Sequence, residues 1–420
     1  MSTQRVSIIG AGWAGLAAAI AACEAGHQVH LYEATQQLGG RARSLPHKVT
    51  GWSLDNGQHI LIGAYSATLG LMRQVGLNPN DLLLRLPLNL RFPDHSGVAL
   101  PPWPAPWHAL WGIARAAGWS WADKWPLLQA CVMWQAQSFT CPSHWTVADL
   151  TQHHGLSEHV VQGLIEPLCV SALNTPLGDA SARVFLRVLH DALLGGKGSS
   201  DLLIPTVDLQ QLLPSASEAW LRARGVHIHL GTRISHSDMS GQDFTPTPKH
   251  AVVLATPAWE AARLLGPEHP KWAQQAQALS HLAIATVYLR CHDPGFTGLG
   301  QPLLALRSNA HAPAQFVFCR TQLMQQTGVL ACVVSACTHD RITLERLVVQ
   351  QVQQQLGWSS LEVLQTVIEK RAAFACTPDL QRPPSQVAPH LWACGDYVAG
   401  PYPATLEGAV RSGLQVVAQL

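Results

Sequence analysis

The plainest chemical signal in the chain is a cluster of six residues near its start. Gly10-Ala11-Gly12-Trp13-Ala14-Gly15 follows the short apolar run Val6 to Ile9 and precedes the helix-forming stretch Leu16 to Ala22. That order predicts strand, tight turn and helix. In such a turn Gly10 permits the bend, Gly12 lets backbone approach a pyrophosphate, and Gly15 lets the helix pack closely on the strand; Ala14 belongs to the same cofactor-facing turn. Phosphate charge then rests on the unpaired N–H groups and the positive dipole end of the helix. Gln28 to Tyr32 reads as a second strand closed by Glu33, which lies 18 residues after Gly15. An acid at that distance accepts hydrogen bonds from a ribose 2′-OH and disfavours a 2′-phosphate.

Three further patches repeat the strand-to-turn pattern. Leu391 to Asp396 reads as a strand running into a Gly-Asp turn, and Ala404 to Val410 opens a final helix. A strand-end acid and a helix N-terminus aimed at one anion suit a reduced flavin, whose N1 side is negative. Residues 220–234 read as a helix end, a Gly stop and an alternating strand, and residues 250–257 as a buried strand leading to a cofactor-side turn.

Leu38-Gly39-Gly40-Arg41-Ala42-Arg43 resembles the GG motif of flavoproteins in the amine oxidase and phytoene desaturase superfamily. The resemblance implies FAD. It puts Gly39 and Gly40 close to the cofactor, Arg41 near the pyrophosphate, Asp396 with its neighbour Gly395 on the ribityl chain, Thr405 and Leu406 at the pyrimidine side of the flavin, and Ile234 against adenine. Arg43 reads equally well as a surface charge. Narrower blocks, Leu54 to Tyr65, Glu166 to Pro176, Gly198 to Pro205 and Gly395 to Ala409, resemble the squalene-associated branch of that superfamily, and the likeness extends over essentially the whole chain.

What that branch implies is a reduction within bacterial hopanoid and isoprenoid synthesis: hydroxysqualene loses its allylic hydroxyl and gains a hydride from reduced FAD, giving squalene. An acid must help hydroxide leave as water. His59, Glu166 and Asp201 sit in the narrow blocks and are the candidate proton donors, each with an ordinary buried hydrogen bond as its competing explanation. Cys169 reads as either a buried small hydrophobe or a site residue. The rivals are an oxidative carotenoid-type desaturase, a flavin amine oxidase in which Tyr397 and Tyr402 supply half an aromatic cage, and a non-catalytic lipid-binding protein. One dinucleotide fold is evident, so the electron donor or reductase is left unassigned.

The expected architecture is α/β, a Rossmann-like FAD-binding domain of the GR2 type joined to a mixed α+β substrate domain. Its first domain is assembled from residues 1–75, 200–260 and 388–420, and its second from 76–199 and 261–387. Only 13% of the 420 residues are Asp, Glu, Lys or Arg while 47% are apolar, which predicts a greasy surface or pocket suited to a long isoprenoid. A net charge of +1 offers no field for steering polyanions, so nucleic acid is not an expected partner. Ten scattered cysteines without a CxxC pair predict neither disulfides nor a zinc site, and His153-His154 and His227 with His229 lack companion ligands at metal spacing. The start of the chain shows no signal-peptide pattern and no later stretch reaches about 20 apolar residues. A cytoplasmic setting is therefore expected, with peripheral contact on the inner face of the plasma membrane left open by residues 103–145. Those residues hold eight of the fifteen tryptophans, and Trp103, Trp107 and Trp111 recur at helical spacing. Membrane contact and core filling are both open for them.

Overall fold

The computed structural model describes residues 3–47 and 50–420. Its central layer is a six-stranded sheet in the order His227–His229, Gln28–Tyr32, Arg5–Ile9, His250–Leu254, Leu391–Ala393, Gln386–Ala388. The first five strands run parallel and the last antiparallel. A central parallel strand is covered on both faces, hence the unbroken apolar runs: Val6 and Ile8, and all of Ala251 to Leu254, are fully buried. Sequence alternation predicts pairing through much of residues 226–234, yet it ends at His229. There the chain turns, so that the Gly231 and Thr232 N–H groups donate to the Thr35 and Glu33 carbonyls at 2.9 and 2.8 Å. His30 stacks on His227 and His229 at 4.8 and 5.7 Å between ring centroids, with its Nδ1 3.4 Å from His229 Nε2.

The Ala-rich helix Trp13–Glu24 is buried on nearly every side because the C-terminal helix Leu406–Val417 lies against it. A methyl added at Gly413 would come within 2.2 Å of the Ala14 carbonyl, so small residues set this close approach. The same C-terminal helix carries Glu407, which is fully buried. Its carboxylate accepts from the Ala67 and Thr68 N–H groups, the Thr68 hydroxyl and the Arg411 guanidinium at 2.7–3.0 Å. It thereby caps the helix Ser66–Gln74, whose own N-cap, Tyr65, supplies no side-chain acceptor. Glu407→Ala strands these donors and should cost about 2–3 kcal/mol, read as a lower urea midpoint with an unchanged slope.

A second, antiparallel sheet runs in the order Leu303–Ala305, Phe316–Cys319, Val329–Val334, His281–Cys291, Leu361–Phe374. Alternation divides its faces. Val287, Leu289 and Cys332 pack under the helix Arg341–Leu356, while Tyr288, Phe318 and Ala331 join the apolar body that also receives the helices Trp121–Ala136 and Ala182–Leu194. This all-round mixture of sheet and helix is the α+β unit expected beside the nucleotide-type sheet.

The tryptophan-rich stretch is partly buried and partly exposed. Trp134 is buried and donates to His154 at 2.9 Å, whereas Trp103, Trp107, Trp111, Trp121 and Trp125 are exposed. The expected helical stripe through Trp103 is also shorter than the spacing suggests. Helix begins only at Trp107, because four prolines between 101 and 106 disfavour it, and Trp103 reaches Trp111 by packing at 5.2 Å instead.

Candidate functional site

A cleft of about 560 Å³ opens at the carboxyl ends of the parallel strands, the position where ligands bind in open α/β sheets. The strand Arg5–Ile9 leads into it through Gly10, whose φ of +106° only glycine takes without strain. A methyl on Gly10 would also lie 2.6 Å from the Ala255 carbonyl. Gly12 and Ala14 border the cleft, while Gly15 lies beneath it, where a methyl would fall 1.9 Å from the Gly10 carbonyl oxygen. The three residues therefore do different things: Gly10 and Gly15 let strand, turn and helix interlock, and Gly12 leaves space. A methyl on Gly12 would meet nothing nearer than the Gly40 Cα at 3.8 Å. Gly12, as N-cap, offers no side chain to the first N–H groups of the helix Trp13–Glu24, so they face the cleft as anion donors.

Glu33 borders the same end of the cleft, with Ile234 across from it. Its carboxylate accepts from the Ala11 N–H at 3.0 Å and from the Thr35 N–H and hydroxyl at 2.9 Å each, which fixes its orientation at the strand end. Gly39 and Gly40 cross over the turn: Gly39 N–H donates to the Ala11 carbonyl at 2.9 Å, and a methyl on Gly40 would approach Gly12 Cα to 3.0 Å. Arg41 follows and spans the cleft to Asp396, with Nη2 to Oδ1 at 2.6 Å, while its Nη1 donates to the Ala372 carbonyl at 2.6 Å. Burial alone would lower the Arg41 pKa, but the Asp396 charge and hydrogen bond, aided by Glu369, raise it, so the guanidinium stays charged. Gly395, Asp396, Thr405 and Leu406 line the far side, and the Thr405 hydroxyl caps its helix by accepting from the Gly408 N–H at 3.0 Å.

A dinucleotide fits this donor set at both ends. The Gly12 and Gly40 backbones and the uncapped helix suit a pyrophosphate, Glu33 a ribose diol, and Asp396 a polyhydroxyl chain. Ile60, Leu173 and Ile284 add apolar side chains to a wall that also carries Asn56, Gln58 and Asn174.

Of the three candidate proton donors, only His59 borders the cleft. Its Nδ1 lies 2.8 Å from the Gly57 carbonyl, which leaves Nε2 as the free ring nitrogen. Burial lowers its pKa, against the opposing effect of the Gly57 bond and Asp55, and the imidazole is neutral at pH 7. Asp201 is instead ion-paired with Arg85 at 3.0 Å, under the turn at Gly198, and does not border the cleft. Glu166 starts the helix Glu166–Leu173, whose opposite end, Ser171 to Leu173 with Asn174, reaches the cleft. Glu166 is left about 10 Å back along that axis, its pKa raised by burial. Cys169 is fully buried with its thiol toward the Thr175 carbonyl, and burial pushes it up to about 12, the behaviour of a small hydrophobe. Neither Tyr397 nor Tyr402 borders the cleft: Tyr397 packs edge-on against Trp272, and Tyr402 against Tyr65. No aromatic cage of the kind an amine oxidase needs is formed by that pair.

Sequence reasoning missed Glu369, Tyr65 and Trp259, which all border the cleft. Glu369 accepts from Asn56 Nδ2 at 3.2 Å, and the same amide donates to the Arg41 carbonyl at 3.1 Å. Glu369 faces Ile284 next to a shift of register between the two long strands, a feature no local pattern announces.

The family of flavin-containing amine oxidoreductases matches residues 13–420. Two proteins named hydroxysqualene dehydroxylase are similar over nearly the full length of both chains. That of Rhodopseudomonas palustris is 29% identical, covering 98% of this chain and 97% of its own. That of Zymomonas mobilis is 27% identical, covering 97% and 96%. Among solved structures, an oxidoreductase from Methanosarcina mazei superposes with a TM-score of 0.70 at 17% identity, covering 99% of this chain and all of the other, a likeness of fold.

Proposed function

The chain belongs to the flavin-containing amine oxidoreductases, and from that we propose that it is an FAD-dependent oxidoreductase that reduces hydroxysqualene to squalene. The reading rests on one observation above the others: a dinucleotide-type turn and the apolar side chains of Ile60, Leu173 and Ile284 border a single cleft. The full-length similarity to proteins named for that reaction supports it.

When bound and reduced, FAD supplies the hydride. The allylic C–O bond breaks, a C–H bond forms at the same carbon, and one proton turns the departing hydroxide into water. The chain's part is to hold and to exclude. The Gly12 turn and its helix take the pyrophosphate, Glu33 the adenosine ribose, and Asp396, oriented by Arg41, the ribityl chain. Gly395, Thr405 and Leu406 close the pyrimidine side, and Gly10, Ala14, Gly15, Gly39, Gly40 and Ile234 shape the cradle. Ile60, Leu173 and Ile284 take isoprenoid surface, each buried methylene contributing about 0.8 kcal/mol.

His59 is the residue we assign to the leaving hydroxyl, through its free Nε2. An imidazole whose pKa is lowered delivers a proton only from its protonated fraction, and that fraction grows as pH falls. Single-turnover rates should therefore rise as pH is lowered from about 7 to about 5. His59→Gln should flatten this profile while leaving flavin content unchanged. A wild-type profile that is flat, or that falls toward acid, removes His59 from this role.

The electron donor is a separate protein or a reduced nicotinamide, and so insoluble a substrate is drawn from lipid. Supplying the purified holoenzyme with dithionite and, in parallel, hydroxysqualene, a linear polyene or an amine decides the reading. Squalene formed from the first alone is expected. Desaturation of the polyene or oxidation of the amine by the air-oxidised enzyme, without squalene formation, overturns it.

A further inference from the structure

We propose that the helices Trp107–Ala114 and Trp121–Ala136 form a platform that lies on the surface of a lipid bilayer, deepening the reading above by naming where the substrate is collected. Trp103, Trp107, Trp111, Trp121 and Trp125 are 44–66% exposed, and Val132, on the Trp121 side of its helix, is exposed as well. These are most of the large exposed hydrophobic side chains among the described residues. Each pair Trp107/Trp111 and Trp121/Trp125 is spaced by four residues, so each lies along one face of its helix. Lys124 pins the two helices together: it is itself buried, its ammonium donates to the Ala114 carbonyl at 3.1 Å, and it lies 5.5 Å from the Trp121 ring. Indole rings at that exposure amount to a patch on the order of 500 Å², at the upper end of what monomeric proteins leave open.

The chemistry of the patch favours lipid over a second copy of the chain. Indole suits the bilayer interface, with an apolar ring for the acyl boundary and an N–H for the headgroups. The charges in residues 103–136 are Arg115, Asp123 and Lys124. Of these Arg115 alone is exposed, held over the Trp111 ring at 5.2 Å. Asp123 is buried, engaged by the Ser120 cap and the Ser157 hydroxyl. Within residues 103–136 the one exposed charge is thus a cation, which complements lipid phosphate, whereas pairing two such faces would bring Arg115 against its own kind. No helix among the described residues is long and apolar enough to cross a membrane, so the contact is one of lying on the surface.

The test is flotation of the holoenzyme, without substrate, on vesicles of phosphatidylcholine alone and with about a third phosphatidylglycerol. The comparison protein carries Trp107→Ser, Trp121→Ser and Trp125→Ser, all at exposed positions away from the cleft. The wild type should float with both vesicles, modestly more with the anionic ones, and brominated acyl chains should quench its fluorescence. The triple variant should partition at least about tenfold more weakly, turn over detergent-dispersed substrate at the wild-type rate, and slow on vesicle-embedded substrate. Equal flotation of the two proteins overturns the proposal. So does a wild-type dimer by sedimentation that fails to float and that the triple variant lacks, which would give the face to a second copy. Because flotation needs no hydroxysqualene, a wrong substrate would leave this result standing.

Discussion

Replacing Asp55 with alanine is expected to destabilise the protein by about 3–5 kcal/mol, the cost of leaving one member of a buried ion pair alone. Arg320 is 0% exposed and Asp55 1%. The guanidinium donates to Asp55 Oδ2 at 3.0 Å, to Gln58 Oε1 at 3.2 Å, to the Ser53 carbonyl at 3.1 Å and to Gln326 Oε1 at 2.6 Å. Asp55 in turn accepts from the Ser44 hydroxyl at 2.9 Å and the Leu209 N–H at 3.0 Å, and its carbonyl takes the Tyr288 hydroxyl at 2.9 Å. The network therefore ties the segment carrying Gln58 and His59 to the antiparallel sheet, through Arg320 and Tyr288, and to the segments that carry Ser44 and Leu209. Asp55→Asn, which keeps the shape and a carbonyl acceptor, should cost less. Arg320→Lys should behave like the alanine change, because a point cation cannot reach four acceptors held in a planar fork. Chemical unfolding followed by tryptophan fluorescence measures this, and a loss below about 1 kcal/mol for Asp55→Ala would show that water reaches the pair.

The second large effect is on cofactor binding rather than stability. Gly12→Ala should leave unfolding free energy within about 0.5 kcal/mol of the wild type, since Gly12 has φ −71° and ψ 179° and its added methyl meets only Gly40 Cα at 3.8 Å. That methyl would nevertheless stand where a pyrophosphate must approach the backbone. FAD affinity should fall by about 10- to 100-fold, at about 1.4 kcal/mol per tenfold step, when apoprotein is titrated and its tryptophan fluorescence followed. Gly15→Ala is the contrasting control. Its methyl would collide with the Gly10 carbonyl at 1.9 Å, so fold and flavin should be lost together. Tight FAD binding by folded Gly12→Ala would mean that the cofactor does not cross at this turn.

The residues read correctly from sequence are those whose task is local. The Gly10 turn, the second strand ending at Glu33 and the start of the C-terminal helix each depend on offsets of a few residues, and backbone geometry alone nearly determines them. The missed residues depend on tertiary packing. Arg320 meets Asp55 across 265 positions of sequence and Glu369 meets Asn56 across 313, separations at which no periodicity survives. Asp201 and Glu166 each stand in a recognisable block, yet neither borders the cleft. Asp201 serves as the partner of Arg85. Glu166 follows a turn of π-helix at Val161–Ile165 and points its helix, not itself, at the cleft. The tryptophans were legible as amphipathic but not as outward-facing, since an indole stripe looks the same before one knows what it packs against.

Anaerobic mixing of the photoreduced holoenzyme with hydroxysqualene tests the central claim most directly, with flavin absorbance followed in time and lipids extracted for mass spectrometry. The account predicts that the yellow of oxidised flavin returns and that one squalene forms for each flavin oxidised, faster at pH 5 than at pH 7. Flavin that stays reduced while hydroxysqualene is recovered unchanged would contradict it.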